Sequence, residues 1–356
     1  ASLGVEQGVV LEAAVARQLR PHQREGILFM YSAIARDQGC ILADTMGLGK
    51  TLQALGLLWA VVNGSPLPGG PPLVRKAVVV CPSSLCGNWR AEVRKWLGDR
   101  RLKPATVLAA GRERVEAQLR SFRDYSTHKM LIVSYEQLRR HVDLVDDACD
   151  LLICDEGHRL RTQGTATARQ LDGLRCRRRI LLSGTPLQND MDELFHCGRF
   201  VRPDLFPDAA RFQRLVAQPL TRSREPGASA EERAAGARAA GELEERTSQF
   251  ILRRTAEILQ NSLPPRLEIV LRLRMAAPQV RAYRAILAEL QLAPAHREMA
   301  RALQAMMALR LLCNDAGDVL RSARRALARG DQDACPASLA SRGGRGAESS
   351  SESEGE

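Results

Sequence analysis

The sequence predicts an α/β fold, in which helices cover both faces of a parallel sheet and a helical extension follows. Three observations predict this fold: five short apolar segments recur between residues 40 and 183, helical or polar segments separate them, and the pattern stops at about Val201. Each segment is continuously apolar, which is typical of strands buried on both faces. Strands that alternate with helices form a parallel sheet through right-handed crossovers.

Helices and strands are expected to alternate along roughly the first 200 residues. A helix is expected from Pro21 to about Ala35, because proline favours the first turn of a helix. The expected strands are Cys40–Ala43, Ala77–Cys81, Met130–Ser134, Leu151–Cys154 and Arg179–Ser183. Further helices are expected over Leu52–Trp59, Glu225–Glu245, Phe250–Leu259 and Gln279–Leu312. The final segment Ser341–Glu356 is low in complexity and is expected to be disordered, since it cannot form an apolar core.

Composition limits the classes of function. The chain has 356 residues, and its 52 Lys and Arg against 41 Asp and Glu leave a net charge of +11, which favours a polyanionic partner. Its apolar runs are shorter than the ~20 residues that a membrane span needs, and the first residues lack the features of a signal peptide. The nine cysteines are scattered without a CxxC spacing, which predicts a reduced intracellular compartment and no zinc site.

The strongest motif is DTMGLGKT, which runs from Asp44 to Thr51 between a predicted strand and a predicted helix. Gly47 and Gly49 would let backbone N–H groups face phosphate oxygens at a helix N-terminus. Lys50 would reach the β- and γ-phosphates, and the Thr51 hydroxyl would hold Mg²⁺. Asp44 stands where the motif usually begins with glycine, so an ordinary glycine-rich turn is the alternative. The predicted ATP-binding residues of this loop are Asp44, Met46, Gly47, Leu48, Gly49, Lys50 and Thr51.

Two further motifs follow predicted strands. LLICDEGH at Leu151–His158 ends a buried strand in two carboxylates. Asp155 could bind the same Mg²⁺ and Glu156 could polarise the attacking water, because ion and water need separate carboxylates. Alone, such an acidic pair is commonly a cap, and only the phosphate loop favours catalysis. SGTPLQND at Ser183–Asp190 is by itself a hydroxyl-rich turn.

In this order, the motifs resemble the first half of a Swi/Snf-type ATPase of helicase superfamily two. Other matching segments are LRPHQ at Leu19–Gln23, CPSSLCGNW at Cys81–Trp89, VSYE at Val133–Glu136 and LLCN at Leu311–Asn314. FILRRTAEILQNSLPP at Phe250–Pro265 resembles the recombination-repair branch, of Rad-fifty-four type, and REPGASAEER at Arg224–Arg233 resembles its B form. The resemblance covers roughly Leu19 to Asn314. It implies a RecA-like P-loop NTPase fold and an ATP-dependent translocase on duplex DNA.

The resemblance also implies roles for single residues. Gln23 would read the adenine edge of ATP. Coupling of the nucleotide state to DNA would fall to His158, Ser183, Gly184 and Thr185. The DNA-tracking side would comprise Pro82, Ser83, Ser84, Asn88, Trp89, Ser134, Tyr135, Gln188 and Asn189. A nuclear location is implied, with a recombinase filament or a nucleosome as protein partner.

Departures from the family pattern bear on activity. Thr45 stands where the family usually has Glu, which removes a charge beside the Mg²⁺ site. A second RecA-like lobe with arginine fingers should follow, yet nothing after Asp315 resembles it, so the sequence predicts the first lobe alone. We expect an N-terminal segment over residues 1–18, the ATP-binding lobe over 19–204, a mostly helical extension over 205–320 and a low-complexity tail over 321–356.

The favoured function is a DNA-dependent ATPase that is slow without a second lobe, because an arginine finger contributes about 10³–10⁵ in rate. A non-catalytic ATP- and DNA-binding module is the main alternative. A small-molecule P-loop kinase is a third, but no acceptor-binding motif favours it. Arginine clusters such as Arg175–Arg179 occur where aromatic residues are only 4% of the chain, which predicts contacts to phosphates rather than stacking on bases.

Overall fold

The computed structural model describes residues 13–65, 69–108, 111–160, 166–184, 191–206, 208–259, 267–291, 298–315 and 317. The chain divides into two units, Ala1–Pro264 and Pro265–Glu356. The predicted tail over residues 321–356 lies outside the described residues. The predicted domain boundaries stay predictions.

A single parallel sheet organises the first unit. Within the described residues its strand order is β3–β4–β2–β5–β6–β1–β7, and the neighbouring pairs are all parallel. The strands are β1 Cys40–Leu42, β2 Ala77–Cys81, β3 Ala105–Thr106, β4 Met130–Ser134, β5 Leu151–Asp155, β6 Arg179–Leu182 and β7 Ile251–Leu252. The predicted parallel sheet is therefore confirmed, with β1 and β5 separated by β6.

Helices connect the strands and extend beyond them. Those of the first unit are α1 Ala13–Ala16, α2 Pro21–Ala35, α3 Lys50–Asn63, α4 Cys86–Trp96, α5 Gly98–Arg101, α6 Arg112–Asp124, α7 Tyr135–Arg140, α8 Ala166–Asp172, α9 Met191–Val201, α10 Ala209–Phe212, α11 Gln218–Ser223 and α12 Ala230–Ser248. A π-helical turn, Gln213–Ala217, joins α10 to α11. Short 3₁₀ helices cover Ser83–Leu85, Val142–Leu144, Asp146–Ala148, Gly157–Leu160 and Ala256–Leu259. The second unit contains α13 Ala277–Gln291 and α14 Glu298–Asn314, which pack on each other through Ile286 and Leu312.

Burial on both faces explains why the strands lack an alternating pattern. In β4, Met130 and Ile132 belong to one apolar cluster, whereas Leu131 and Val133 belong to the other. All four side chains are fully buried. Successive side chains of a strand point to opposite faces, so each face of the sheet is covered by its own helical layer.

One predicted helix is wrong. Phe250–Leu259 was expected to be helical, but it contains strand β7 followed by a 3₁₀ helix. The backbone N–H of Ile41 donates to the Phe250 carbonyl oxygen at 2.7 Å, so β7 extends the sheet beside β1. A two-residue strand is too short to show a hydrophobic period, and its pairing partner lies more than two hundred positions earlier in the chain. Strand β3 was missed because it also has only two residues.

Other helices start at local signals. The expected helix over Glu225–Glu245 begins at Ala230, because Ser229 and Glu232 form a reciprocal capping box.

Among the described residues, none of the helices has the length and apolar character that crossing a membrane requires.

Phe250 offers a test of how far the core depends on β7. Its side chain is fully buried and packs edge-on against Phe206, with ring centroids 5.7 Å apart. Replacing Phe250 with Ala should lower the free energy of unfolding by about 3–5 kcal/mol, measured by urea denaturation, because a buried aromatic ring leaves a cavity. Ile258→Ala is the matched control, since Ile258 is 44% exposed, and it should cost less than about 1 kcal/mol. Equal losses for the two variants would contradict a core anchored at β7.

Candidate active site

The three chemical motifs meet at the carboxyl ends of neighbouring strands. The loop Ala43–Gly49 follows β1, Ser183 follows β6, and Asp155 is the last residue of β5. Because these strands are parallel and adjacent, their carboxyl ends lie at one edge of the sheet. Open parallel sheets bind their ligands at this edge. A site is therefore assembled from segments far apart in the chain.

The loop after β1 turns through two left-handed glycines. Gly47 has a φ of 90° and Gly49 a φ of 78°, values that side-chain-bearing residues rarely adopt. A Cβ atom on Gly49 would lie 2.4 Å from the Gln23 side-chain nitrogen, so that position has no room for one. Gly49 precedes α3, and no side chain of the described residues caps that helix. The first N–H groups of α3 therefore lack side-chain caps and can bind an anion.

Lys50 is the first residue of α3 and points back into the loop. Its Nζ donates to the carbonyl oxygens of Asp44 at 2.7 Å and of Thr45 at 3.4 Å. Burial lowers the pKa of Lys50, while three carboxylates, those of Asp44, Glu156 and Asp155, act in the opposite direction. Carboxylates of the loop and of the Asp155–Glu156 pair thus both favour the charged form of Lys50. Thr51 follows it, half-buried in the first turn of α3.

The third motif approaches the same lysine. Ser183 is buried, and its backbone N–H donates to the Leu42 carbonyl oxygen at 3.1 Å. A Cβ atom on Gly184 would lie 3.5 Å from Lys50 Nζ and 3.1 Å from Met46 Cγ. Gly184 therefore allows the end of β6 to contact the loop. Met46 itself is 70% exposed, so its side chain is accessible at the rim.

The Asp155 carboxylate accepts hydrogen bonds from helix α4 and from the next residue of the chain. The indole N–H of Trp89 donates to Asp155 Oδ2 at 2.7 Å, and the Glu156 N–H donates to Asp155 Oδ1 at 3.0 Å. Burial raises the pKa of Asp155, while the Trp89 hydrogen bond lowers it. Glu156 has a φ of 53°, a left-handed conformation that a residue with a side chain adopts only when its surroundings impose it. The chain therefore leaves the strand geometry directly after Asp155.

Gln23 lies beneath the loop. Its Oε1 accepts the Arg20 backbone N–H at 3.0 Å, and its Nε2 donates to the Leu48 carbonyl oxygen at 3.2 Å. The side chain is 7% exposed, so its amide supports the loop backbone. The role of Gln23 at the adenine edge stays a prediction.

The described residues that were predicted on the DNA side fall into two groups, one at least partly exposed and one buried. Ser83, Ser84 and Asn88 are exposed and Pro82 is half-buried. Trp89, Ser134 and Tyr135 are buried, and each has a partner inside the lobe. Ser134 Oγ caps α7 by accepting the Gln137 N–H, and the Tyr135 hydroxyl donates to the Asp155 carbonyl oxygen at 2.8 Å. Thr185, Gln188 and Asn189 lie outside the described residues, and His158 belongs to the 3₁₀ helix that follows Glu156.

Arg254 is a residue of the site that local sequence reasoning missed. Its guanidinium forms two hydrogen bonds to the fully buried carboxylate of Asp44. The sequence showed only a basic pair at Arg253–Arg254, which is usually a solvated feature. The family-like segment Phe250–Pro265 was the one available signal, and it carried no role.

Comparison with known proteins supplies the family. The family model described as the SNF2-related domain matches residues 22–318. "Protein CHROMATIN REMODELING 25" of Arabidopsis thaliana is 40% identical over 319 residues, which is 86% of this chain and 35% of that protein. "DNA repair and recombination protein RAD54B" of Homo sapiens is 42% identical over 285 residues, 78% of this chain and 30% of that protein. "DNA repair and recombination protein RAD54-like" of Homo sapiens is 36% identical over 86% of this chain and 42% of its own length.

Solved structures agree with the fold. The "SWI2/SNF2 ATPase core in complex with dsDNA" of Sulfolobus solfataricus has a TM-score of 0.57 at 23% identity, covering 86% of this chain and 60% of that one. The "SWI2/SNF2 ATPase core domain" of the same organism has a TM-score of 0.56. The chain spans between 30% and 42% of the length of these three curated relatives. By the extent of the family match and the identity to these relatives, the chain belongs to the SNF2-related domain family.

Proposed function

We propose that this chain binds ATP with Mg²⁺ and forms the first lobe of a DNA-dependent ATPase that translocates along duplex DNA. The observation that carries the proposal is the position of Lys50, which begins an uncapped helix and whose Nζ donates to the loop carbonyl oxygens at the edge of the sheet where Asp155 ends β5. A helix N-terminus with a flexible cation favours phosphate, and two strand-end carboxylates serve a metal and a water. These are the parts that phosphoryl transfer requires.

The donor set suits Mg²⁺. The Thr51 hydroxyl and the Asp155 carboxylate would supply oxygen ligands, and hard cations prefer oxygen. Bound there, Mg²⁺ would neutralise charge on the phosphates. Trp89 orients Asp155 for this task by its indole hydrogen bond. Lys50 would leave the carbonyl oxygens of Asp44 and Thr45 and donate to the phosphates instead.

Glu156 is the proposed general base. As a second carboxylate at the strand end, it would accept a proton from water, while Asp155 would hold the metal. Ser183 and Gly184, at the end of β6, would report the nucleotide state, because Gly184 approaches Lys50. We propose the same coupling role for His158 and Thr185.

Duplex DNA is the proposed partner. The net charge of +11 supports a polyanion, and the solved neighbour of similar fold is described as a complex with double-stranded DNA. Exposed Ser83, Ser84 and Asn88 form the accessible part of the proposed contact surface. The relatives are DNA repair, recombination and chromatin remodelling proteins by name, so we propose action in recombination repair or remodelling, in the nucleus. A recombinase filament or a nucleosome is the proposed protein partner.

Thr45 favours a second candidate function. Its side chain is uncharged, and its hydroxyl donates to the Arg254 carbonyl oxygen at 2.9 Å. This position therefore contributes no charge to the proposed metal site. A lobe without that charge could bind ATP and DNA without hydrolysis. Phosphate release measured with and without duplex DNA separates the two candidates.

Substitutions at the two strand-end motifs test the ATPase proposal. Lys50→Ala should abolish binding of a fluorescent ATP analogue, because the phosphates lose their cation. Glu156→Gln should keep binding but remove hydrolysis, because the proton acceptor is lost while the metal ligand remains. Lys95→Ala is the matched control, since Lys95 is an exposed lysine of α4. Equal affinity of the Lys50→Ala and unaltered proteins for the analogue would refute the assignment.

The pH dependence of Mg²⁺-supported nucleotide binding tests Asp155. Its pKa is raised by burial and restrained by the Trp89 hydrogen bond. The ionised carboxylate binds the metal, so affinity should fall as pH drops through this raised pKa. Trp89→Phe removes a donor to the charged form and should move the midpoint of this loss to higher pH.

Trp96→Phe is the control for that experiment. The Trp96 indole donates to Glu92 Oε2 at 2.5 Å on the same helix, away from Asp155. The Trp96 variant should keep the midpoint of the unaltered protein. A Trp89 variant with an unchanged midpoint would show that the indole does not tune the metal ligand.

A salt titration tests sequence-independent binding of duplex DNA. Each neutralised phosphate contributes about −0.9 to the slope of log K against log salt, so a lobe that covers a few phosphates should give roughly −2 to −5. Two unrelated duplexes of equal length should bind with affinities within about tenfold, or ~1.4 kcal/mol, of each other. A slope near zero, or a larger difference between the duplexes, would be incompatible with a translocase lobe.

A further inference from the structure

Arg254 reaches from the segment after β7 to Asp44, near the start of the loop that follows β1. Its Nε donates to Asp44 Oδ1 at 2.9 Å and its Nη2 donates to Asp44 Oδ2 at 2.6 Å. The Asp44 side chain is fully buried and that of Arg254 is 11% exposed. The pair is bidentate, a geometry that a planar guanidinium forms and an ammonium cannot.

The same guanidinium joins two more elements. Nη2 donates to Gln53 Oε1 at 3.0 Å in α3, and Nη1 donates to the His22 carbonyl oxygen in the first turn of α2. Gln53 in turn donates to Asp44 Oδ2 at 3.1 Å and to the Leu48 carbonyl oxygen at 3.3 Å. One buried arginine thus connects both helices that flank the loop with both ends of the loop.

Close packing leaves this network little freedom. A Cβ atom on Gly26 would lie 1.8 Å from Gln53 Oε1 and 2.8 Å from Arg254 Nη2. Gly26 therefore allows α2 to approach the arginine. The contacts hold the guanidinium at one position relative to the loop.

The backbone carbonyl group of Arg254 also contacts the loop, through Thr45. The Thr45 N–H donates to the Arg254 carbonyl oxygen at 3.0 Å, and its hydroxyl donates to the same oxygen at 2.9 Å. Residue 254 therefore holds Asp44 through its side chain and Thr45 through its carbonyl group. The threonine hydroxyl, which replaces the acidic side chain usual in the family pattern, has a specific partner here.

The two residues that Arg254 holds are the two that receive Lys50. Lys50 Nζ donates to the carbonyl oxygens of Asp44 and Thr45. A movement of either residue would displace the ammonium group from the place where phosphates are expected. The position of Lys50 therefore depends on a residue that lies 204 positions later in the chain.

We propose that Arg254 is a positioning residue of the nucleotide site, which together with the Thr45 hydroxyl holds the loop in the shape that presents Lys50 to phosphates. This proposal rests on the proposed binding of ATP. The proposed role of Arg254 is indirect. It acts through Asp44, Thr45 and Gln53.

The first test compares neighbouring arginines in the full chain. Arg254→Lys keeps the charge and loses the bidentate contact, and should weaken binding of the Mg²⁺ complex of a fluorescent ATP analogue by about tenfold or more. Arg253→Lys, at the adjacent exposed position, should change affinity by less than about twofold. Circular dichroism establishes that both variants are folded at the temperature of the titration. A folded Arg254→Lys protein with the affinity of the unaltered chain would overturn the proposal.

The second test does not disturb the buried ion pair. Thr45→Val keeps the shape of the side chain and removes the hydroxyl, and should weaken nucleotide binding by about fivefold. Thr45→Ser keeps the hydroxyl and should bind like the unaltered chain, a rescue that a role in packing alone would not produce. If Arg254→Lys does not fold, this pair decides, and equal affinities of the Val and Ser variants would overturn the proposal.

Lys50→Ala, measured beside them, separates this proposal from the one on which it rests. Loss of binding by Lys50→Ala with unaltered binding by the Arg254 and Thr45 variants would refute the positioning role alone. Unaltered binding by Lys50→Ala would refute the nucleotide site itself.

Discussion

Parallel pairing of the strands is the constraint from which the site follows. Adjacent parallel strands need crossover helices, and these helices cover both faces of the sheet. The strand interiors are therefore apolar, and polar residues stand at strand ends, such as Arg179 at the start of β6 and Asp155 at the carboxyl end of β5. Because the strands β1, β5 and β6 run in one direction, the polar residues at or after their carboxyl ends collect at one edge. The proposed chemistry is thereby confined to this border of the sheet.

Burial at that border makes the charges interdependent. Desolvation disfavours the charged form of both Lys50 and Asp155, and it shifts their pKa values in opposite directions. The charge of each group partly offsets the desolvation cost of the other. Asp44 and Arg254 do the same in a nearly solvent-free ion pair. Removing one member of such a pair leaves an uncompensated buried charge. The loop and the acidic motif consequently act as one electrostatic unit rather than as two separate motifs.

Neighbouring elements use their polar groups to hold this unit. The Trp89 indole and the Tyr135 hydroxyl both reach residue 155, one through its carboxylate and one through its carbonyl oxygen. These aromatic residues come from segments that resemble DNA-tracking motifs, and both are buried. Their hydrogen bonds link the segments after β2 and β4 directly to the acidic strand end. A change in these segments would therefore reach the proposed metal ligand through two contacts.

The sequence by itself determined the five longer strands, the buried character of the sheet, the turn at Gly47 and Gly49, and the strand-end position of Asp155, because each depends on neighbours in the chain. Only the tertiary structure decided the strand order, the short strand β7 and the attachment of Arg254 to Asp44. A two-residue strand has no period to detect, and a basic pair such as Arg253–Arg254 has the same local pattern whether its members are solvated or buried. The partner of Arg254 is distant in sequence, and the packed sheet brings the two together. A local motif predicts which residues carry the chemistry, whereas the contacts that orient those residues depend on the packing of the whole sheet.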